Sequence, residues 1–255
     1  MEKFALGFMV LHVGQMCNLR CKDCCNFVPY APPESRRYPV EKIISDLETV
    51  FTVVGRIDNL QIQGGEPFIY SDLAKLVGYL GACREIVNIY IATNGMKVPD
   101  DEILHICSIN NVSIRISNYP QNRKNLESFV SKARSHRVSL NMYDFSSGDS
   151  FWKDLGNINE ITRTVDNQVV SERFKNCDFR GCLTLADGEF HRCGRGVNAS
   201  KVLGFTPAPG DCVKVRDNPC FRNDFITYVA YPQFETACRY CNGTHGKSIP
   251  AAEQL

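Results

Sequence analysis

The feature that most constrains the fold is an alternation of short apolar runs and amphipathic helical stretches from Phe8 to about Phe145. Strands are expected at Phe8 to Val13, Ile57 to Gln63, Ile86 to Ala92, Val112 to Ser117 and Ser139 to Phe145. Between the first two, a helix starting near Pro39 carries Val40, Ile43, Ile44, Leu47, Val50, Phe51 and Val54 on one stripe, which must pack on a sheet. Ser71 reads as the cap of a second helix with Leu73, Leu76, Val77 and Leu80, and Leu126, Phe129, Val130 and Ala133 mark another. Repeated β-α units imply an α/β fold with a parallel sheet, whose strand C-termini gather ligand loops on one rim.

Beyond Phe145 the alternation fades through a polar stretch. A hairpin then follows, Cys182 to Ala186 and Glu189 to Cys193 about an Asp187-Gly188 turn. Two domains are therefore expected, residues 1–150 and 151–255.

Charge excludes some partners. Lysine plus arginine number 29 against 28 aspartate plus glutamate, without long basic runs, so neither nucleic acid nor an anionic membrane is an expected partner. No stretch is long and apolar enough to span a bilayer, and the opening Met1-Glu2-Lys3-Phe4 lacks a signal pattern, so the cytoplasm is the expected compartment. Thirteen cysteines then point to metal rather than disulfides, since thiols in a reducing compartment commonly bind metal and an odd count leaves one unpaired.

Cys17, Cys21 and Cys24 have CxxxCxxC spacing in a loop directly after the first strand. Three thiolates on one loop can hold three irons of a 4Fe-4S cube and leave the fourth without a protein ligand, whereas structural zinc usually takes four ligands. Gly64-Gly65-Glu66-Pro67 ends the second strand and Thr93-Asn94-Gly95 the third.

With these segments in order, the chain resembles the radical S-adenosylmethionine (SAM) superfamily. The resemblance implies a partial (β/α) TIM-type barrel and reductive cleavage of SAM to a 5'-deoxyadenosyl radical that abstracts hydrogen from substrate. It places Gly64, Gly65, Glu66 and Pro67 at the SAM amino group, Thr93 and Asn94 near the ribose, and Ser117 or Arg115 at the carboxylate. One residue departs from the pattern: Asp23 stands where the family commonly has an aromatic contact to adenine.

Cys177, Gly188 and Cys193 resemble the CX9-15GX4C opening of SPASM and twitch domains, and Cys238-Arg239-Tyr240-Cys241 adds a CxxC pair. The resemblance implies a small β-hairpin-containing domain in which Cys177, Cys193, Cys238 and Cys241 ligate a second, auxiliary 4Fe-4S cluster of the one-cluster twitch type. Zinc suits the same four thiolates, and Cys182 could replace Cys177. Cys83 and Cys107 fall in expected helices and read as core.

Similarity to radical SAM enzymes with one auxiliary cluster suggests oxidation of a hydroxyl to a ketone on a sugar, aminocyclitol or similar small polar substrate. Flavodoxin or ferredoxin would be the external electron donor. Proton-acceptor candidates are His191, Arg195 and Glu189. A radical epimerase would instead need a thiol hydrogen donor, with Cys182, Cys212 and Cys25 as candidates; modification of a peptide is a third outcome and a non-catalytic metal protein a fourth. Specificity is expected from strand-end loops and from the region Ser150 to Phe174.

Overall fold

The computed structural model describes residues 3–146 and 151–255. The expected domain boundary at residue 150, and Ser150 at the head of the region assigned to specificity, lie outside the described residues.

Period-two burial organises the sheet. Along β3 (Val54–Gln63) the side chains of Leu60 and Ile62 are buried on one face, while Gln61 and Gln63 point to the other. The same split recurs in β4 (Ile86–Thr93) and β5 (Ser113–Asn118), where Ile89, Ile91, Ile114 and Ile116 face the helices while Ala92, Arg115 and Ser117 face a cavity. On the helix side lie α1 (Val40–Phe51), α2 (Leu73–Gly81), α3 (Asp101–Ile109) and α4 (Arg123–Ser135). Ile43, Leu47, Leu76, Leu80, Leu104 and Phe129 join the strand residues in one core. Burying each such side chain contributes about 2 kcal/mol.

The sheet is mostly parallel. β1 (Phe4–Leu6) and β2 (Met9–His12) pair with β3 in succession along the same edge, β4 takes the other edge, and β5 and β6 (Leu140–Asp144) follow, every pairing parallel. β7 (Phe151–Lys153) leaves this sheet and pairs antiparallel with β11 (Ser248–Pro250).

Beyond residue 150 the main sheet continues. After α5 (Asn167–Lys175), strand β8 (Leu183–Ala186) adds to β2 in parallel, with Met9 opposite Leu183. β8 then turns through Asp187 and Gly188, both at positive φ, into antiparallel β9 (Glu189–His191), and β10 (Val213–Lys214) pairs with β9. The hairpin is therefore the far side of one sheet, nine-stranded among the described residues. Two helices complete the fold, α6 (Gly194–Leu203) and α7 (Phe221–Ala230).

Several boundaries differ from expectation. Pro39 precedes α1 as its cap instead of opening it, and Val54 belongs to β3, where pairing with β1 extends the strand. Asp72, not Ser71, caps α2, although its carboxylate accepts from Arg37 at 2.5 Å and not from the helix amides. Cys83 lies just beyond α2 and is half-buried, whereas Cys107 is fully buried in α3. Among the described residues, no helix is long and apolar enough to cross a membrane.

Candidate active site

The loop after β2 and the turn after β3 are tied backbone to backbone. Gly65 donates to Gly14 O at 2.9 Å and Glu66 to Met16 O at 2.8 Å. This close approach demands glycine: a Cβ on Gly65 would fall 2.0 Å from Met16 O, and one on Gly64, at φ 152°, 2.2 Å from Gly14 O. The Gly-Gly pair thus fixes where the cysteine loop sits.

Glu66 acts behind this contact. It is buried, and its carboxylate accepts from Phe68 N at 3.0 Å, Thr93 Oγ1 at 2.8 Å and Asn94 N at 2.8 Å. Burial raises its pKa, and the three donors oppose that rise. Glu66 therefore clamps the Thr93-Asn94-Gly95 turn onto the β3 turn. Neither Glu66 nor Pro67 reaches the cavity wall, because the carboxylate is spent on this clamp and Pro67 opens a buried helical turn.

A cavity of about 580 Å³ lies at the C-terminal ends of the parallel strands. Its wall brings together Cys17, Cys21 and Cys24 with Gly64, Gly65, Thr93, Asn94, Arg115 and Ser117. Asn94 bridges two of these groups, its Nδ2 reaching Asn18 Oδ1 at 2.8 Å and Cys17 Sγ at 3.6 Å. The Arg115 guanidinium stacks 3.8 Å over Tyr90 and donates to Gln61 Oε1 at 2.8 Å, while its buried Nε has no hydrogen-bond partner among the described residues.

Sequence reasoning missed several parts of this wall. Gln61 and Gln63 line it, and their signal was two amides in a strand covered on both faces. Tyr119, Phe145 and Trp152 form an aromatic cluster beside the cysteine loop, with Tyr119 and Phe145 stacked at 5.5 Å. Asp23 is on the wall too, accepting from Asn157 Nδ2 at 2.7 Å. Asn122, fully buried, donates to both Asn94 O and Ser117 O at 2.7 Å and so ties the ends of β4 and β5 together.

Burial pushes Cys17 up to about 12 and Cys21 up to about 11, and raises Cys24, with the neighbouring thiols adding to the rise at Cys17 and Cys21. Bare thiolates are thus disfavoured here. An iron-sulfur cube fits the donor set: three sulfurs share one wall, and bound cationic iron would offset both burial and mutual repulsion.

The second set also gathers. Cys193 caps α6, Cys238 lies in a short helical turn over Thr236–Tyr240, Cys241 follows it, and Cys177 precedes a similar turn over Asp178–Gly181. Burial raises Cys193 well above its ordinary value, with Glu235, Cys238 and Cys241 adding to it. Cys238 is pushed up to about 12 by burial, then by Glu235, Cys241 and Cys177. Charge acts between Cys193 and both Cys238 and Cys241, between Cys177 and both Cys238 and Cys241, and between Cys182 and Cys177. Among the described residues no three His, Cys, Asp or Glu converge tightly enough to grip a single ion.

Between the two sets lies Arg195, 5% exposed. Its guanidinium sits 4.0 Å over the Phe27 ring and donates to Gly156 O at 2.7 Å, and its charge acts on Cys24 of one set and Cys241 of the other. A guanidinium so held donates and cannot accept a proton. His191 and Glu189, 3.7 Å apart, face a separate cavity of about 440 Å³ that also contains Cys212. Phe190 between them takes the core side of β9, so Glu189 and His191 lie on the sheet face of Gln61 and Gln63 but line this separate cavity and not the cysteine-lined one. Cys182 lines neither cavity, whereas Cys25 lies on the wall of the first.

The chain is similar to curated relatives named GTP 3',8-cyclase: 36% identical over 94 residues to that of Listeria welshimeri, covering 35% of this chain and 26% of the relative. To that of Clostridium acetobutylicum it is 25% identical over 161 residues, covering 63% and 42%. It thus spans about a quarter of the first relative's length and less than half of the second's. Among solved structures, BtrN in complex with AdoMet and 2-DOIA aligns over 100% of both chains at TM-score 0.59 and 13% identity. Histidine-tagged anSMEcpe with bound AdoMet aligns over 86% of this chain and 80% of that one, at TM-score 0.53 and 12% identity. These two share the α/β fold with its mostly parallel, partial-barrel sheet. Residues 11–117, from β2 into β5, match the model of the radical SAM superfamily.

Proposed function

We propose that the chain is a radical SAM enzyme that oxidises a hydroxyl of a small polar substrate, a sugar or aminocyclitol, to a ketone. One observation carries the reading. The cavity that holds Cys17, Cys21 and Cys24 also reaches Asp178, Phe179 and Thr244, which flank Cys177 and Cys241 of the second set. A small molecule in that space would lie between the two cysteine sets.

Cys17, Cys21 and Cys24 would hold the first 4Fe-4S cluster, and Cys177, Cys193, Cys238 and Cys241 a second. When bound, reduced cluster and SAM supply hydrogen abstraction from an unactivated C-H bond, and the auxiliary cluster supplies an acceptor for one electron. The Gly64-Gly65 turn, Thr93, Asn94, Arg115 and Ser117 would seat SAM. Tyr143, Phe145, Phe151 and Trp152 give the substrate an apolar wall, and Lys153, Thr244, Gln61 and Gln63 give it polar contacts. The remaining proton would pass to Asp178, a carboxylate on this wall, in place of His191, Glu189 or Arg195. A flavodoxin or ferredoxin would deliver the first electron.

A second reading rests on Cys25. Its side chain lies on the cavity wall, where a thiol could return hydrogen to a substrate radical for epimerisation. Anoxic incubation with dithionite, SAM and a panel of aminocyclitols and sugars separates the two. Oxidation yields 5'-deoxyadenosine and a product lighter by two hydrogens. Epimerisation leaves the mass unchanged, incorporates solvent deuterium and stops in Cys25→Ala. Absence of 5'-deoxyadenosine from cluster-replete protein would overturn both.

A further inference from the structure

The segment following β11 closes back over the first cysteine loop. Gln254 forms an antiparallel bridge with Cys21, Lys22 donates to Glu253 O at 2.8 Å, and Leu255 donates to Arg20 O at 2.9 Å. Arg20 N in turn donates to Gln254 Oε1 at 2.8 Å. Ala252 is fully buried at φ 55° in the small core of Leu19, Cys21 and Tyr119, and its carbonyl accepts from Gln121 at 2.8 Å. The contact thus combines a short ladder with a buried anchor, and it is specific in register.

Gln254 does more than hold the loop. Its Nε2 donates to Cys21 Sγ at 3.3 Å. Other donors reach the sulfurs of the set: Leu19 N approaches Cys17 Sγ at 3.4 Å, Asn94 Nδ2 approaches it at 3.6 Å, and the backbone N-H groups of Asn26, Phe27 and Val28 act on Cys24. These come from the loop and the barrel, while Gln254 arrives from 233 residues beyond Cys21.

We infer that residues 251–255 form a strap over the cysteine loop and that Gln254 sets the reduction potential of the cluster held there, through its N-H on the Cys21 sulfur. The inference rests on the assignment of Cys17, Cys21 and Cys24 as cluster ligands. Reduction adds negative charge that the sulfurs share, so a donor aimed at a sulfur stabilises the reduced form and raises the potential. A hydrogen bond to a charged group that strengthens on reduction shifts the reduced-to-oxidised ratio by roughly three- to tenfold. For one electron, tenfold corresponds to about 59 mV. Gln254 is in this sense a positioning residue that acts through Cys21.

The test is a redox titration, followed by electron paramagnetic resonance, of the anoxically purified full chain and of Gln254→Met and Gln254→Glu. Iron and sulfide are measured on every sample. The relevant signal is the one missing from Cys17→Ser, and if Cys17→Ser loses no signal the ligand assignment itself fails, independently of Gln254. Met removes the donor at similar length; Glu keeps the acceptor for Arg20 N and removes the donor. Full cluster content with the midpoint lowered in both variants supports the inference, with Glu the lower of the two because it adds a negative charge. An unchanged midpoint in Gln254→Met at full content overturns it. Loss of the cluster with an unchanged midpoint in what remains also overturns it, since the strap would then serve only to hold the loop.

Discussion

His12 ends β2 immediately before the cysteine loop and is 1% exposed. Its Nδ1 pairs with Gln15 Nε2 at 3.2 Å, and its Nε2 lies against Gly194 without a hydrogen-bond partner among the described residues. Burial, with His191 adding to it, lowers its pKa from 6.5 to about 3. The folded chain therefore keeps the ring neutral while the unfolded chain protonates it. Its contribution to stability is complete above the unfolded pKa and is lost as pH falls below it. Linkage puts the loss at about 2 kcal/mol between about pH 7 and about pH 5. Asn at position 12 retains an acceptor near the Nδ1 position and cannot titrate. Urea unfolding of wild type and His12→Asn at both pH values isolates the term, because every other titration is common to the two chains. Wild type should lose about 2 kcal/mol more than the variant, or roughly 4 to 8 °C in melting temperature. Equal losses would refute the placement of a neutral, buried imidazole at this point.

Gly65→Ala must push its Cβ against the Met16 carbonyl, so the variant should lose about 3 kcal/mol in chemical denaturation and retain little iron. Asn122→Ala removes two buried hydrogen bonds to Asn94 and Ser117 and should cost about 2 kcal/mol, with weaker SAM binding by calorimetry. Arg195→Met takes away the cation between the two cysteine sets, and redox titration should find both midpoints lowered. Cys193→Ser should cut iron from about eight to about four per chain, with 5'-deoxyadenosine still formed but no oxidised product.

Much of the site was legible because its signals are local. CxxxCxxC after a strand, two glycines at the next strand end and apolar spacing in α1 and α2 each depend on a few neighbouring residues. What stayed hidden depends on distant pairing. Nothing near Leu183 announces that β8 lies parallel to β2, so the hairpin reads as separate until Met9 is seen opposite Leu183. That His191 lines the separate cavity follows from the place of β9 beyond β8 and β2 in the sheet, which period two leaves open. Glu66 looked like a ligand contact because its position in the Gly-Gly-Glu-Pro segment is visible and its partners Thr93 and Asn94, on another strand end, are not. The strap of residues 251–255 carries no motif; only its docking on Cys21 gives it meaning. Gln61 and Gln63 could have been found, since amides alternating with Leu60 and Ile62 in a doubly covered strand mark a polar cavity.

Electron-nuclear double resonance on the reduced, anoxic protein with SAM carrying nitrogen-15 in its amino group bears most directly on the three-thiol site. Direct coupling of that nitrogen to an iron, absent from Cys17→Ser, Cys21→Ser and Cys24→Ser, is the expected result. A spectrum without coupling from protein whose three loop thiols already carry a full cluster, or metal analysis that finds zinc there, would contradict it.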